Sequence, residues 1–292
     1  MFHLKRFKSS VKVGVPAGSY THIMNDITND CNLRCPFCNN DFSKVRETIF
    51  MSKTTFEKVL QLLPLADSRF FFSCKFEPSI HPQFIEYLEM IPDEFKSKTF
   101  FTTNLVKTLS DETIERLSKL KISYINISVE SFDPAVYESL RKGAKFSSFI
   151  NNLERLVRAF SRSDQAPKLR YVTMVLKPNI HDLTNILELC SKKYLAQQNE
   201  FRGTHNGPGD DWQKDNFVSP EDWTQVERSL SQMPYNYRIQ RFENKVNDRK
   251  RHKDLCINAD GTVVPYIHGI RKGQYDLDQI LDPKYFFMNL VI

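Results

Sequence analysis

Three cysteines within eight residues, Cys31, Cys35 and Cys38, are the residues of this sequence best placed to do chemistry. Spaced at i, i+4 and i+7, they would share one face of a helix and read there as small core residues. Pro36 argues against that helix, because it has no amide hydrogen and clashes with the preceding turn. Asn29-Asp30 before the trio and Asn39-Asn40-Asp41 after it also favour a loop. Three thiolates converging in a loop form a metal-ligating set. Structural zinc takes four ligands, and Cys74, Cys190 and Cys256 are scattered singly instead of forming a second pair. In an iron-sulfur cluster each corner is normally taken by one Cys, so three leave one iron open to a substrate or cofactor. A dithiol redox pair made of Cys35 and Cys38 alone would leave Cys31 without a role.

Elements able to hold such a loop are legible on either side of it. From residue 21 to about 200, short β-branched or aromatic runs alternate with longer segments of helical period, the pattern of βα units around a parallel sheet. Strands are expected at Tyr20 to Ile27, Arg69 to Ser73, Thr99 to Thr103, Tyr124 to Val129 and Leu169 to Leu176. Helices are expected at Lys53 to Leu63, Pro82 to Met90, Ser110 to Leu120, Phe146 to Phe160 and Ile180 to Lys193. Ser110-Asp111-Glu112 and Ser219-Pro220-Glu221-Asp222 carry the capping chemistry of helix starts. Phe201 to Trp212, crowded with Gly, Pro and Asp, reads as a loop leaving the repeated units. Beyond it come a helix, Pro220 to Ser231, and a hairpin of Leu255 to Asn258 and Thr262 to Ile267 about Ala259-Asp260-Gly261. The expected organisation is an N-terminal extension over 1–20, an α/β unit over 21–204 and a smaller α+β module over 205–292.

With 23 Phe against 9 Gly, the 292-residue chain has the composition of a folded, aromatic-packed protein and not of a low-complexity one. No run approaches the roughly 18 apolar residues of a membrane span, and Met1 to Val11 lacks a signal-peptide core, so a cytoplasmic protein with no membrane partner is expected. Six Cys, three of them clustered, do not resemble a secreted disulfide framework. The net charge of +6 is concentrated near Arg249, Lys250, Arg251 and Lys253; a solvated charged face explains that run better than a nucleic-acid partner.

Cys31 to Cys38 resembles the C-x3-C-x2-C signature of the radical S-adenosylmethionine (radical SAM) superfamily, including an aromatic, Phe37, before the last Cys. Cys74-Lys75-Phe76-Glu77-Pro78-Ser79-Ile80-His81-Pro82 is similar to that family's G-x-G-E-P-T-L-H-P motif, with Cys74 and Phe76 in place of the two glycines. Thr102-Thr103-Asn104 resembles its T-N-G, with Leu105 standing for the Gly. Ile127-Ser128-Val129-Glu130 and Leu140-Arg141-Lys142-Gly143 look like its I-S-L-D and I-R-x-G elements. The resemblance implies an α/β fold built as a partial (β/α)6 barrel, with ligands beyond the carboxyl ends of the strands. It implies one 4Fe-4S cluster on Cys31, Cys35 and Cys38, and S-adenosylmethionine bound with help from Phe37, Phe76, Glu77, Asn104, Ser128, Glu130 and Arg141. Glu77 would accept from the cofactor's amino group, and Ser128 and Arg141 would meet its ribose or carboxylate.

The tail from Cys256 to Tyr266 resembles the start of the SPASM or twitch module, in a degenerate form: the family usually has Cys where Tyr266 stands, and no Cys follows Cys256. No auxiliary cluster is therefore expected. Cys256 is either a buried hydrophobe or a thiol that donates a hydrogen atom to a substrate radical.

As the resemblance implies, an electron from a flavodoxin or ferredoxin enters the cluster and the cofactor's carbon-sulfur bond breaks, giving methionine and a 5'-deoxyadenosyl radical. That radical abstracts hydrogen from a peptide or a sugar-like small molecule, leading to epimerisation, dehydrogenation or cross-linking. Three other readings stand beside it: RNA modification, a non-catalytic degenerate member, and a dithiol oxidoreductase, since Cys35-Pro36-Phe37-Cys38 also resembles the glutaredoxin active site.

Overall fold

A computed structural model of the chain describes residues 18–42, 47–73, 75–203, 211–241 and 252–282. Cys74, residues 1–17 of the expected extension and Arg249 to Arg251 lie outside the described residues. Six strands follow the βα rhythm: β1 (Tyr20–Asn25), β2 (Ala66–Ser73), β3 (Thr99–Thr103), β4 (Tyr124–Ser128), β5 (Lys168–Val175) and β6 (Ala196–Gly203). Each pairs in parallel with the next.

The helices between them are α1 (Lys53–Leu60), α2 (Phe84–Met90), α3 (Asp93–Lys96), α4 (Asp111–Leu117), α5 (Pro134–Leu140), α6 (Phe146–Phe160) and α7 (Leu183–Lys192). Their starts follow from side chains that satisfy orphan amides. Ser52 accepts from the Thr55 N–H, Ser110 from Thr113, and Asp133 from both Ala135 and Val136. A cap of this kind contributes about 1 kcal/mol. After β6 come α8 (Asp211–Asn216), α9 (Pro220–Ser231, with a Ser219–Asp222 capping box) and β7 (Tyr237–Gln240).

The chain then forms β8 (Lys253–Ile257), β9 (Thr262–Ile267), β10 (Ile270–Arg271), β11 (Tyr275–Asp276) and α10 (Leu277–Leu281). Strand β7 adds in parallel to β6, and β8 adds in parallel to β1. The sheet therefore runs in the order β10-β9-β8-β1-β2-β3-β4-β5-β6-β7 as an open path. It is an unclosed barrel wall in which the expected six parallel strands are flanked by one more on each side.

One sequence reading is corrected here and another is extended. Phe201 to Trp212 is not wholly irregular: Phe201–Gly203 finishes β6 and Asp211–Trp212 opens α8, because Gly207, Pro208 and Gly209 fall between these elements and only Gly203, the last residue of β6, falls within one. The expected hairpin exists as β8–β9, but it is joined through β8 to the barrel strand β1, so the sheet has no break between the first and last thirds of the chain.

Alternation along the strands separates two faces. One face, carrying Ile23, Phe70, Phe72, Phe101, Ile125, Ile127, Leu169 and Tyr171, packs against the helices in a single apolar core. Aromatic rings fill it: Phe56 of α1 stacks on Tyr87 of α2 with centroids 4.6 Å apart and touches Phe72 edge-on at 5.8 Å. Burying such a side chain contributes about 1.5–3 kcal/mol. The opposite, concave face carries His22, Met24, Phe71, Phe100, Tyr124, Asn126, Arg170 and Cys256, and mixes polar with apolar side chains.

Candidate active site

All three clustered thiols lie in the loop beyond the carboxyl end of β1 and are free and half-buried. The loop is a fixed structure. Asp30 accepts from the Cys31 N–H at 2.8 Å, from Thr48 Oγ1 at 2.8 Å and from Arg34 Nη2 at 3.0 Å. The Cys38 N–H closes a turn on the Cys35 carbonyl at 3.0 Å, and the Arg34 N–H reaches the Lys142 carbonyl at 2.9 Å. Gly143 next to it has φ +96, a conformation L side chains rarely adopt, and an added Cβ would sit 3.6 Å from the Asn32 carbonyl. The contact distance is ordinary, so it is the backbone conformation of this turn, and not the space beside the cysteine loop, that calls for the glycine sequence reading found after Arg141.

The sulfur environment fits a metal cluster. The Cys31 sulfur faces the Leu33 N–H at 3.4 Å and the Asn104 side-chain amide at 3.6 Å. Burial pushes the Cys31 thiol up to about 12 and the Cys35 thiol up to about 11, although Arg141 opposes the rise at Cys35. Cys35 lies close enough to Cys31 to add to the rise at Cys31, and Cys38 close enough to Cys35 to add to the rise at Cys35. A cationic centre would offset both penalties by holding the sulfurs as thiolates.

Glu77 stands beyond β2, buried, and is the hub joining three loops, its own N–H donating to the Asp30 carbonyl of the cysteine loop at 3.2 Å. Its Oε1 accepts from Thr103 Oγ1 at 2.8 Å and from the Ser79 N–H at 3.1 Å, and its Oε2 from the Asn104 N–H at 2.6 Å. Burial raises its pKa despite these donors. The Glu77 carboxylate thus makes its described bonds to protein, with lone-pair capacity remaining on Oε2. Phe76 meets Phe42 edge-on at 6.2 Å, and the Arg34 guanidinium covers the other ring at 4.3 Å.

Leu105, in the position where the motif has glycine, takes the left-handed conformation at φ 56. Its N–H donates to Thr103 Oγ1 at 3.0 Å and its carbonyl accepts from Asn152 Nδ2 at 2.9 Å, which holds the strained backbone in place.

Glu130 and Arg141 form a buried bidentate ion pair, with Nη2 to Oε1 at 2.8 Å and a second contact from Nε to Oε2. Arg141 is buried, with its guanidinium 5.7 Å from the Phe37 ring. Asn179, which sequence reading missed, supports the pair by donating to the Glu130 and Met174 carbonyls at 2.8 and 2.9 Å. Ser128, at the end of β4, is half-buried on the concave face. Cys256 lies opposite Met24 in the β1–β8 ladder and is buried, on the face away from core residues Leu255 and Ile257.

Also missed were His22 and Asp254, paired at 2.9 Å, and a basic group around Arg170. A strand pattern with polar residues at every second position signals a solvated face as readily as a polar barrel interior.

The radical SAM superfamily profile matches residues 25–190, more than half of the chain. The chain belongs to the radical SAM superfamily. Radical SAM proteins use a 4Fe-4S cluster and S-adenosylmethionine. Among curated relatives, a probable GTP 3',8-cyclase of Methanocaldococcus jannaschii is 27% identical over 56% of this chain and 53% of its own length. A GTP 3',8-cyclase of Mannheimia succiniciproducens is 26% identical over 56% and 47%. The chain thus spans about half the length of the curated relatives it matches. Streptococcus suis SuiB bound to S-adenosylmethionine superposes with TM-score 0.70 at 16% identity, covering 93% of this chain and 68% of that one. Native anSMEcpe with bound AdoMet gives 0.63 at 16% identity, over 92% and 81%. At these identities the structural likeness establishes the fold. No helix among the described residues is long and apolar enough to cross a membrane.

Proposed function

We propose that this radical SAM chain is an enzyme whose Cys31, Cys35 and Cys38 hold the 4Fe-4S cluster, and that it acts on an anionic, sugar-like small molecule seated against the concave face of the sheet. When bound, the cluster and S-adenosylmethionine supply a carbon-centred radical that takes a hydrogen atom from the substrate. Reducing equivalents come from a flavodoxin- or ferredoxin-like partner.

The remaining work belongs to the chain's own side chains. Oε2 of Glu77 receives the ammonium of the cofactor's methionine part, a cation that also offsets the burial of the carboxylate. Ser128 offers a hydroxyl to the ribose. Asn104 orients the Cys31 sulfur, and the Glu130–Arg141 pair, with Phe37 against it, fixes the far wall. Phe76 and its Phe42 neighbour cover the loop edge and exclude water.

The observation that carries the substrate class is Arg170. Its Nε is buried with no hydrogen-bond partner among the described residues, and its guanidinium lies 4.5 Å from the centre of the Tyr124 ring. Burial lowers its pKa, and Arg69 and Arg202 lower it further. Glu200 is the carboxylate facing Arg170, Arg202 and Arg238 together, and Arg202 already engages it through two bonds of 3.1 and 3.2 Å. A phosphate or carboxylate on the substrate would relieve that excess of positive charge.

A peptide substrate is the second reading, favoured by the structural match to SuiB bound to the precursor peptide SuiA, which extends over 92% of this chain. Cys256 on the concave face would then quench the substrate radical by giving up its S–H hydrogen atom, leaving a thiyl radical that one electron and one proton restore. In that case Cys256→Ala abolishes epimer formation while cofactor cleavage continues.

The test is anaerobic iron reconstitution, reduction with S-adenosylmethionine present, and measurement of 5'-deoxyadenosine across a panel of phosphorylated nucleosides and sugars. A substrate that accelerates cleavage should show KM raised at least about tenfold in Arg170→Gln, the loss of one charge-assisted contact. Absence of 5'-deoxyadenosine in every condition rules the reading out.

A further inference from the structure

On the concave face, away from the cysteine loop, two imidazoles and a carboxylate converge. We infer that His22, His252 and Asp254 form a mononuclear site for a divalent transition metal, distinct from the iron-sulfur cluster. The inference stands on this geometry alone and does not depend on the substrate proposed above.

The fold builds the trio. Strands β1 and β8 pair in parallel with His22 opposite Asp254, so the two side chains leave adjacent strands on the same side. Their neighbours Ile23 and Leu255 are fully buried in the helix-facing core, which turns His22 and Asp254 to the concave face. His252 precedes Asp254 by two residues and so shares its side; the His252 carbonyl accepts from the His268 N–H at 2.9 Å, which anchors this end of the β8–β9 hairpin.

His22 Nδ1 lies 2.9 Å from Asp254 Oδ1. The two imidazoles meet edge to face, with centroids 4.6 Å apart at 78°. One ligand atom from each of the three residues falls within 4.8 Å of the others, a grouping that could close on a single ion. The side chains of His22 and Asp254 are only 11% and 14% exposed, and Phe71 closes the other side of His22 at 5.6 Å. A half-buried carboxylate whose described ionic partner is one histidine gains from a cation between them.

The donor set decides the ion. Two nitrogens and one carboxylate oxygen suit zinc, iron(II), cobalt(II) or nickel(II), whereas calcium and magnesium select all-oxygen cages. Three protein ligands leave positions for water or for a substrate oxygen, as in open metal sites. His22 lies three residues before the end of β1, about 10 Å along the strand at roughly 3.3 Å per residue, so the trio and the cysteine loop cannot share one ion.

The test is cobalt(II) titration of the full chain, stripped of metal by chelation under anaerobic conditions. One equivalent should give weak visible d–d absorption without thiolate charge-transfer bands, and this signal should persist in the triple variant Cys31→Ala, Cys35→Ala, Cys38→Ala. His252→Ala and Asp254→Asn, each checked for native circular dichroism, should weaken it at least about 100-fold, the upper range found even for lost partners outside the ligand set. On the unaltered chain, the cobalt form should show two hyperfine-shifted exchangeable imidazole N–H resonances. A signal lost in the cysteine variant, unchanged in His252→Ala and Asp254→Asn, or lacking both imidazole resonances overturns the inference.

Discussion

The Asn104 backbone N–H donates to Glu77 Oε2 at 2.6 Å, so the loop after β3 hangs from a carboxylate in the loop after β2. The same asparagine carries its side-chain amide to Asn32 Oδ1 at 2.8 Å and towards the Cys31 sulfur at 3.6 Å. Glu77 is therefore mechanically upstream of the cysteine loop, whatever it does for a cofactor.

Glu77→Gln should cost stability even in the absence of cofactor. The amide nitrogen must face one of the N–H or O–H donors now bound to the carboxylate, leaving that donor unsatisfied in a buried place. The expected loss is about 2–4 kcal/mol, read as a lower urea midpoint with unchanged m-value. A midpoint within error of the parent would refute the hub role.

Arg141→Met should leave Glu130 as a buried, unpaired charge. The expected cost is about 3–5 kcal/mol, whereas Arg141→Met combined with Glu130→Gln should be far milder, because the stranded charge is gone. A double-mutant cycle with no coupling would contradict the pair.

Leu105→Gly sets two effects against each other. Glycine relieves a left-handed strain of about 1–2 kcal/mol, but the lost side chain is buried, and a buried Leu truncated to Ala already costs about 2–5 kcal/mol. The variant should be less stable by thermal unfolding, showing that packing and not backbone freedom keeps leucine here.

His81 should make the fold acid-sensitive. Its Nδ1 accepts from the Gln83 N–H at 3.0 Å, so Nε2 carries the proton and donates to the Met51 carbonyl at 3.0 Å. Burial lowers its pKa below the ordinary 6.5. The unfolded chain then binds the proton first, so stability is full above about pH 6.5 and falls as pH drops through the window below it. His81→Gln should flatten that slope in unfolding experiments run between pH 7 and 5.

Much of the barrel was legible because local signals agreed. Thr99–Thr103 and Phe146–Phe160 form as expected, since an aromatic, β-branched run and a strong helical period leave no competing element. Strand β6 escaped notice because Gln198, Glu200 and Arg202 alternate with few apolar residues, a pattern that marks a solvated face as readily as a polar barrel interior. Helix α5 was missed despite its signal, Asp133 capping and Pro134 at the first turn, because seven residues are too short for periodicity to register. In the site, the cysteines and Glu77 stood out by motif. The His22–Asp254 pair could not, because its partners lie 232 residues apart and only strand pairing unites them.

That separation also sets an order of events during synthesis. The edge of β1 that β8 covers, on the strand leading into the cysteine loop, cannot be closed until residues 253–257 have left the ribosome. Until then it presents unpaired backbone amides and carbonyls to any neighbouring strand. A nascent or truncated chain ending before residue 253 is thus expected to be aggregation-prone, and metal loading of the His22, His252 and Asp254 site should follow emergence of β8, not precede it.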